Sequence, residues 1–293
     1  MKNRQDPLSV ARFITLALCL VLGFTPLTVF AAKEPVWREV EPDNLVFMEL
    51  HEGLVTIELN PLFAPKTVEQ FRKLVQEKFY DGLSFYRVID GFVAQGGDGS
   101  DLGELSNVPL IDAEFEVEWS EDFSFTPVQD PDLFAPETGF IDGFAIARDP
   151  SENSAWLTHC PGAMAMARND SPNSSRTDFY FVIGQAPRYL DRNLNVFGRI
   201  IDGLEVIQKI QRGDSKDNGV IQDETKTSRI KRVRLASDIA RDERLSAYVI
   251  DTNSKGFKSL LKGRRNRNQK FFHHRPPKVL DICQIPLGSL VTK

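Results

Sequence analysis

Two patterns of hydrophobic positions recur early in the chain. Leu54–Leu59 alternates apolar and polar residues from Val55 onward, and Leu45–Leu50 is apolar except at Glu49, with Glu52-Gly53 between the two runs. A period of two is typical of a strand with one buried face, so these residues predict a β-hairpin. Apolar residues then recur at helical spacing over 65–79, which begins with a proline, a favoured first helical residue. We therefore expect a hairpin followed by a helix.

Strand patterns dominate the remainder of the chain. Residues 84–98, SFYRVIDGFVAQGGD, contain two short extended runs on either side of an Asp-Gly pair, which is typical of a turn. β-Branched and aromatic residues fill 177–183, and residues 229–235 alternate charged residues with isoleucine and valine. Residues 203–210 add a second helical pattern. Together these elements predict a mainly β fold.

The first residues of the chain have the composition of a targeting segment. Lys2, Arg4 and Arg12 accompany an apolar run without charge at 13–30, which is followed by the small residues Ala31 and Ala32. A basic start, an apolar centre and a small residue at the cut are typical of a secretory signal peptide. We predict that residues 1–32 are removed, that the mature protein is periplasmic or secreted, and that it has no stable membrane insertion after cleavage. An uncleaved anchor is the alternative, because the run is about long enough to span a bilayer.

The net charge of −5 conceals an asymmetry along the chain. Residues 33–236 hold 21 Lys and Arg against 35 Asp and Glu, whereas residues 237–293 hold 12 against 5, giving −14 and +7. This asymmetry is consistent with a tail that lies on the body, with a tail that touches an anionic surface, or with a solvated basic tail. Because the leader predicts export, we expect no nucleic-acid partner despite the basic and aromatic residues of the tail.

Two cysteines, Cys160 and Cys283, lie outside the leader. An oxidising compartment permits a disulfide that would join the tail to the body, and two free buried thiols are the alternative. The sequence does not decide between them. The histidines do not fall at zinc-ligand spacings, and the sequence contains no phosphate-binding loop. We therefore expect no metal and no cofactor.

Residues 84–98 carry more than a strand pattern. Their sequence resembles the signature of the cyclophilins, a family of peptidyl-prolyl cis-trans isomerases, which runs F-x-R-V-I-x-G-F-x-x-Q-G-G-D. The residues that match its fixed positions are Phe85, Arg87, Val88, Ile89, Gly91, Phe92, Gln95, Gly96, Gly97 and Asp98.

The resemblance covers residues 45–236 and is interrupted once. It implies a closed eight-stranded antiparallel barrel capped by two α-helices, within a domain that spans 33–236. An insertion at about 116–158 interrupts this domain, and its residues 140–148 predict an added strand or hairpin. The basic extension 237–293 has no counterpart in a minimal cyclophilin. Further segments that match in family order are PGAMAMAR at 161–168, YLD at 189–191 and VFGRI at 196–200.

The activity that the resemblance implies is rotation about Xaa-Pro bonds in proline-containing polypeptides. This rotation passes through a twisted amide in which the prolyl nitrogen regains a lone pair. A fixed hydrogen-bond donor aimed at that nitrogen stabilises the twisted form more than either planar form. Arg87 is a permanent planar donor of this kind. The catalytic residues that the resemblance implies are Arg87, Phe92 and Gln95.

Other family positions imply a pocket for the proline ring and groups that pair with the substrate backbone. Val93, Tyr180 and Leu190 fall at apolar pocket positions. The backbone around Ala167 and Arg168 falls where substrate peptide groups are bound. We therefore predict that these residues surround the bound proline.

Three residues depart from the pattern of many cyclophilins. Tyr189 stands in place of tryptophan, which argues against strong cyclosporin binding but not against isomerisation. Leu194 stands in place of histidine. Asp178 replaces a glutamine beside the arginine, and we predict that it pairs with Arg87 and either orients the guanidinium or reduces its charge.

A second function from another class remains open at this point. The chain could be a non-catalytic module, or a chaperone of the cell envelope, that grips proline-containing segments. Retention of Arg87, Phe92 and Gln95 favours the enzyme, because a protein that only binds has no need of the arginine. The role that follows for the enzyme is to assist the folding of exported proteins.

Overall fold

A computed structural model describes residues 36–99 and 107–293, so the predicted signal peptide lies outside the described residues. Within them the chain forms sixteen strands and three α-helices. The strands are β1 Trp37–Glu39, β2 Leu45–Leu50, β3 Leu54–Leu59, β4 Ser84–Val88, β5 Val93–Gly97, β6 Val117–Glu118, β7 Phe125–Gln129, β8 Glu137–Ile141, β9 Phe144–Asp149, β10 Ser154–Leu157, β11 Ala163–Met166, β12 Phe179–Val182, β13 Val196–Asp202, β14 Ser228–Leu235, β15 Ser246–Ile250 and β16 Ser289–Thr292. The helices are α1 Pro65–Gln76, α2 Leu204–Ile207 and α3 Lys255–Asn266.

Eight strands close into an antiparallel barrel in the order β11-β12-β5-β4-β14-β2-β3-β13, which confirms the predicted fold. The alternating pattern of each strand turns one set of side chains into the barrel. Phe85, Phe179 and Phe181 are fully buried there and pack against one another at ring-centroid distances of 5.6–6.2 Å. We call the opposite face of the same strands the outer face, and it carries the candidate active site.

Two helices close the barrel, and a third lies in the tail. The apolar stripe of α1 and the buried residues of α2 belong to the same core cluster as the barrel interior. Helix α1 ends at Gln76, before the predicted residue 79, because Lys78 adopts a left-handed φ of 60° and the N–H of Phe79 bonds back to the carbonyl of Leu74. None of the helices in the described residues is both long and apolar enough to cross a membrane.

The insertion folds into a second sheet, of five strands, in the order β6-β10-β9-β8-β7. The predicted hairpin at 140–148 is the β8–β9 pair. Phe144, Ile146 and Leu157 of this sheet share a buried cluster with Ala163 and Val196 of the barrel. The insertion therefore covers part of the outer face of the barrel.

The tail packs on the body and is also bonded to it. Strand β15 pairs with β1 and with β16 to form a three-stranded sheet. Phe257 and Leu261 of α3 pack in one cluster with Phe140 of the insertion sheet. Cys160 and Cys283 form a disulfide, with their Cα atoms 4.9 Å apart and a sequence separation of 123. A bridge across so long a loop stabilises the folded chain by about 2–4 kcal/mol.

Candidate active site

A β-bulge in β4 determines where Arg87 points. Regular alternation would turn Phe85 and Arg87 to the same side, but Phe85 and Val88 are the two fully buried residues of this strand. The pairing register with β5 shifts between Phe85 and Arg87, so Tyr86 is the extra residue. A bulge of this kind re-aims the side chains that follow it. Arg87 therefore lies on the outer face, opposite Gln95.

The guanidinium of Arg87 is held on two sides. Its Nη1 donates to Oε1 of Gln95 at 2.9 Å, and its Nε donates to the carbonyl of Asn218 at 3.0 Å. Nη2 makes a longer bond of 3.4 Å to Oδ1 of Asn218. Gln95 in turn donates from Nε2 to the hydroxyl of Tyr86 at 2.7 Å. Partial burial lowers the pKa of Arg87. Among the described residues, three of the five N–H groups of this guanidinium are thus used, and two are left for a ligand.

Asn218 is a site residue that the sequence analysis missed. It lies in a loop that docks along β4, where the N–H of Val88 donates to the carbonyl of Gly219 and the N–H of Ile221 to that of Tyr86, both at 2.8 Å. Asn218 has a left-handed φ of 52°, which asparagine tolerates better than most residues. The Asn-Gly pair is a turn signal in the sequence, but it does not indicate that the turn folds onto the arginine.

The prediction that Asp178 pairs with Arg87 is wrong. Within the described residues, the side chain of Arg87 bonds to Gln95 and Asn218. Asp178 is fully buried beside Gly97, where a Cβ would lie 2.2 Å from its Oδ1. The same Oδ1 accepts a hydrogen bond of 2.9 Å from the N–H of Gly99. Asp178 therefore holds the start of the loop after β5, and glycine at position 97 makes the room for it.

Five predicted pocket residues lie together beside Arg87 and Gln95. Val93, Ala167 and Tyr180 belong to one buried cluster, and the partly buried Phe92 and Leu194 pack against it. Val93 and Tyr180 lie on the adjacent strands β5 and β12. These side chains form an apolar surface of the type that a pyrrolidine ring needs.

The peptide groups at Ala167 and Arg168 differ in availability. The N–H of Ala167 already donates to the carbonyl of Asp178 at 2.9 Å. The side chain of Arg168 folds back onto carbonyls, with Nε 2.9 Å from that of Asn193 and Nη1 2.7 Å from that of Asn169. Within the described residues, the N–H and C=O of Arg168 have no partner. Arg168 is therefore the residue whose backbone can pair with an extended peptide.

Comparison with known proteins places this site in a family. The family model described as "Cyclophilin type peptidyl-prolyl cis-trans isomerase/CLD" matches residues 45–235. The chain belongs to the cyclophilin-type peptidyl-prolyl cis-trans isomerases. A probable peptidyl-prolyl cis-trans isomerase of Brucella suis biovar 1 is 29% identical over 226 residues, which are 73% of this chain and 93% of that protein. A peptidyl-prolyl cis-trans isomerase of Schizosaccharomyces pombe is 29% identical over 170 residues, 57% of this chain and 86% of that protein.

A solved structure is similar over more of the chain. The crystal structure of a cyclophilin from Hirschia baltica has a TM-score of 0.72 and 32% sequence identity, and the match covers 87% of this chain and 93% of that one. Residues 1–235 make up a smaller share of the chain than the 87% that this match covers. The match therefore includes part of the tail as well as the barrel.

Two residues that the cyclophilin pattern placed in the site are not members of the buried cluster of pocket residues. Tyr189 and Leu190 belong to a 3₁₀ turn, Arg188–Leu190, after β12. The side chain of Tyr189 is 68% exposed, and Leu190 is half-buried outside the cluster. Their predicted contact with substrate stays a prediction.

Behind the pocket of this cyclophilin, a buried chain of hydrogen bonds connects Tyr180 with the end of the insertion. The Tyr180 hydroxyl lies 2.8 Å from Nε2 of His159, and Nδ1 of His159 lies 3.0 Å from Oδ1 of Asp191. Arg188 donates from Nε to Oδ2 of the same carboxylate. Because a carboxylate only accepts, Nδ1 of His159 carries a proton, and in the neutral ring Nε2 accepts from the hydroxyl. Burial, and then the charge of Asp191, raise the pKa of Tyr180 far above its ordinary value, so this hydroxyl stays protonated.

His159 matches no motif in the sequence. Only its position just before Cys160 distinguishes it in the sequence, and that position carries no signal for a contact with β12. The structure makes His159, which is fully buried, the polar partner of a pocket residue.

Proposed function

We propose that this cyclophilin isomerises Xaa-Pro bonds in exported polypeptides and assists their folding, with Arg87 as the donor to the prolyl nitrogen. The observation that carries the proposal is a single juxtaposition. Two unused N–H groups of an immobilised guanidinium lie on the same face of the barrel as the apolar surface of Phe92, Val93 and Tyr180. A proline ring held on that surface would have its nitrogen beside the cation.

The chemistry requires positioning rather than covalent catalysis. The twisted amide has no resonance, so its nitrogen accepts a hydrogen bond that the planar amide cannot accept. Gln95 and Asn218 hold the guanidinium in place before substrate arrives, so little reorganisation accompanies the rotation. The free N–H and C=O of Arg168 would align the substrate backbone as a short extended strand. Each 1.4 kcal/mol of selective stabilisation corresponds to about a tenfold increase in rate.

The test is cis–trans exchange of a short Ala-Pro peptide, measured by NMR with the full chain. We expect exchange to be much faster than the uncatalysed reaction, whose time constant is tens of seconds or longer. A folded protein that binds the peptide without accelerating exchange would favour the alternative, a binding module or chaperone of the cell envelope, over the enzyme.

The export half of the proposal rests on the composition of residues 1–32 and is tested separately. Expression of the full chain in a Gram-negative host, followed by fractionation and mass spectrometry, measures the location and the first residue of the protein. We expect a periplasmic protein that begins near residue 33. A cytoplasmic protein that retains Met1 would contradict export and leave the isomerase unaffected, and an intact chain in the membrane fraction would indicate the uncleaved anchor.

A further inference from the structure

The positive charge of the tail is concentrated in one segment. Residues 255–278, which comprise α3 and the loop that follows it, hold nine Lys and Arg and no Asp or Glu. We call this segment the basic surface. The remaining body of the chain is acidic, so the basic surface stands out as a local reversal of charge. Its cations are Lys255, Lys258, Lys262, Arg264, Arg265, Arg267, Lys270, Arg275 and Lys278.

Intramolecular contacts do not account for these cations. Within the described residues, none of the nine makes an ion pair with a carboxylate. Arg265 is used by the fold, since it donates to the carbonyls of Val128 and Lys278. The helix dipole favours cations in the last turn of α3 and so accounts for Arg264 and Arg265. Neither an ion pair nor the helix dipole accounts for the other seven cations.

The two sides of α3 have different surroundings. Phe257 and Leu261 are buried against the body and fix the orientation of the helix. A shallow groove of about 390 Å³ opens near its C-terminal end and contains no acidic residue. The groove is lined by Leu260, Gly263, Arg264, Arg267, Gln269 and Phe272.

Aromatic residues stand at the edge of this groove. Phe271 is 83% exposed, more than any other phenylalanine of the described residues. Its ring meets that of Phe272 edge-on at 5.2 Å, and the guanidinium of Arg267 lies 5.9 Å from the Phe272 centroid. The rings therefore contact each other and a cation, rather than standing apart as platforms on which bases could stack. An exposed phenylalanine among cations is typical of a protein surface that enters a membrane interface.

We infer that the basic surface binds anionic phospholipid membranes. Lysine and arginine side chains would pair with headgroup phosphates, with Arg264 and Arg267 converging on a phosphate in the groove. Phe271 would enter the boundary between headgroups and acyl chains. The acidic body would be repelled by the same membrane, so the basic surface would set the orientation of the bound protein. This inference concerns the tail and does not depend on the proposed function.

Vesicle co-sedimentation of the full chain tests the inference. We expect the protein to pellet with equimolar phosphatidylcholine and phosphatidylglycerol, to remain in solution with phosphatidylcholine alone, and to be released as salt is raised. A variant that combines Lys262→Gln, Arg264→Gln and Lys270→Gln should bind about a hundred-fold more weakly, since each cation near an anionic surface contributes about a five-fold factor. Phe271→Ser should weaken binding by about ten-fold.

The matched control removes three exposed cations from the body, as Lys73→Gln, Lys209→Gln and Lys216→Gln, and should bind vesicles as the unmodified protein does. Circular dichroism and peptide isomerisation verify that every variant is folded. Equal binding by the tail variant and the control would overturn the inference. So would tight binding to duplex or single-stranded DNA without binding to anionic vesicles, which would assign the basic surface to nucleic acid instead.

Discussion

Replacing Arg87 with alanine is expected to lower kcat/KM for an Ala-Pro peptide by about a hundred- to thousand-fold. This is the loss typical of removing one preorganised donor that acts on charge or a lone pair formed in the transition state. The loss should fall on kcat more than on KM, because the apolar surface of Phe92, Val93 and Tyr180 still binds the ring. The measurement is NMR exchange at several peptide concentrations. Since the side chain is only half-buried and fills no part of the barrel core, the thermal midpoint should change little.

Two further variants define what the arginine contributes. Arg87→Lys keeps the charge but loses the planar group that Gln95 and Asn218 hold together, so kcat should still fall by about ten-fold or more. Arg229→Ala removes an exposed arginine elsewhere on the barrel and is the control for net charge. Retained activity in a folded Arg87→Ala protein would exclude the donor role and make binding by the apolar surface the principal function.

The barrel was predictable because the spacing of apolar residues indicated its strands and the resemblance to the cyclophilins indicated how they close. Strands β2 and β3 coincide with the predicted Leu45–Leu50 and Leu54–Leu59, where two mainly apolar runs indicate paired strands and the intervening Gly53 permits the turn. Helix ends were less predictable. The second helical pattern covered 203–210, whereas α2 spans Leu204–Ile207, because propensity does not specify where the backbone leaves the helical hydrogen-bond pattern.

The site was predictable in its residues but not in its geometry. The motif identified Arg87 and Gln95, but the bulge at Tyr86 that turns the arginine outward depends on pairing between β4 and β5. Asn218 comes from a loop 131 positions away in the sequence, and a local pattern cannot report such a contact. The family pattern predicted that Asp178 pairs with Arg87, because it stands in place of a glutamine beside the arginine. Within the described part of the chain, its carboxylate instead accepts from the N–H of Gly99, on the far side of Gly97.

The insertion shows how a long-range contact changes the meaning of local residues. From the sequence it was a loop of unassigned function with one expected hairpin. In the structure its sheet covers part of the outer face of the barrel. Just after it, His159 bonds to Tyr180 and Cys160 forms the disulfide with the tail. Arg188, which donates to Asp191 in the network behind the pocket, also pairs with Asp132 of the insertion at 3.3 Å. The insertion and the pocket therefore share one buried polar network, which leads to a prediction that links them.

Replacing His159 with leucine is expected to destabilise the protein by about 3 kcal/mol and to raise KM for an Ala-Pro peptide. The change leaves the buried Tyr180 hydroxyl without its partner and removes one of the bonds to Asp191. The ring of Tyr180 belongs to the same buried cluster as Val93, so its displacement would disturb the pocket while Arg87 keeps its place. Chemical denaturation measures the stability, and exchange kinetics separate KM from kcat.

A double-mutant cycle with Tyr180→Phe distinguishes this linkage from a general loss of packing. Phenylalanine keeps the ring and removes the hydroxyl that needs His159, so His159→Leu should cost much less stability in the Tyr180→Phe background and should no longer raise KM. A coupling free energy of about 1–3 kcal/mol is typical of residues in one hydrogen-bonded network. Additive effects of the two substitutions would mean that His159 supports the fold without positioning Tyr180. Coupling in both KM and stability would instead establish that the insertion sets the shape of the proline pocket through this histidine.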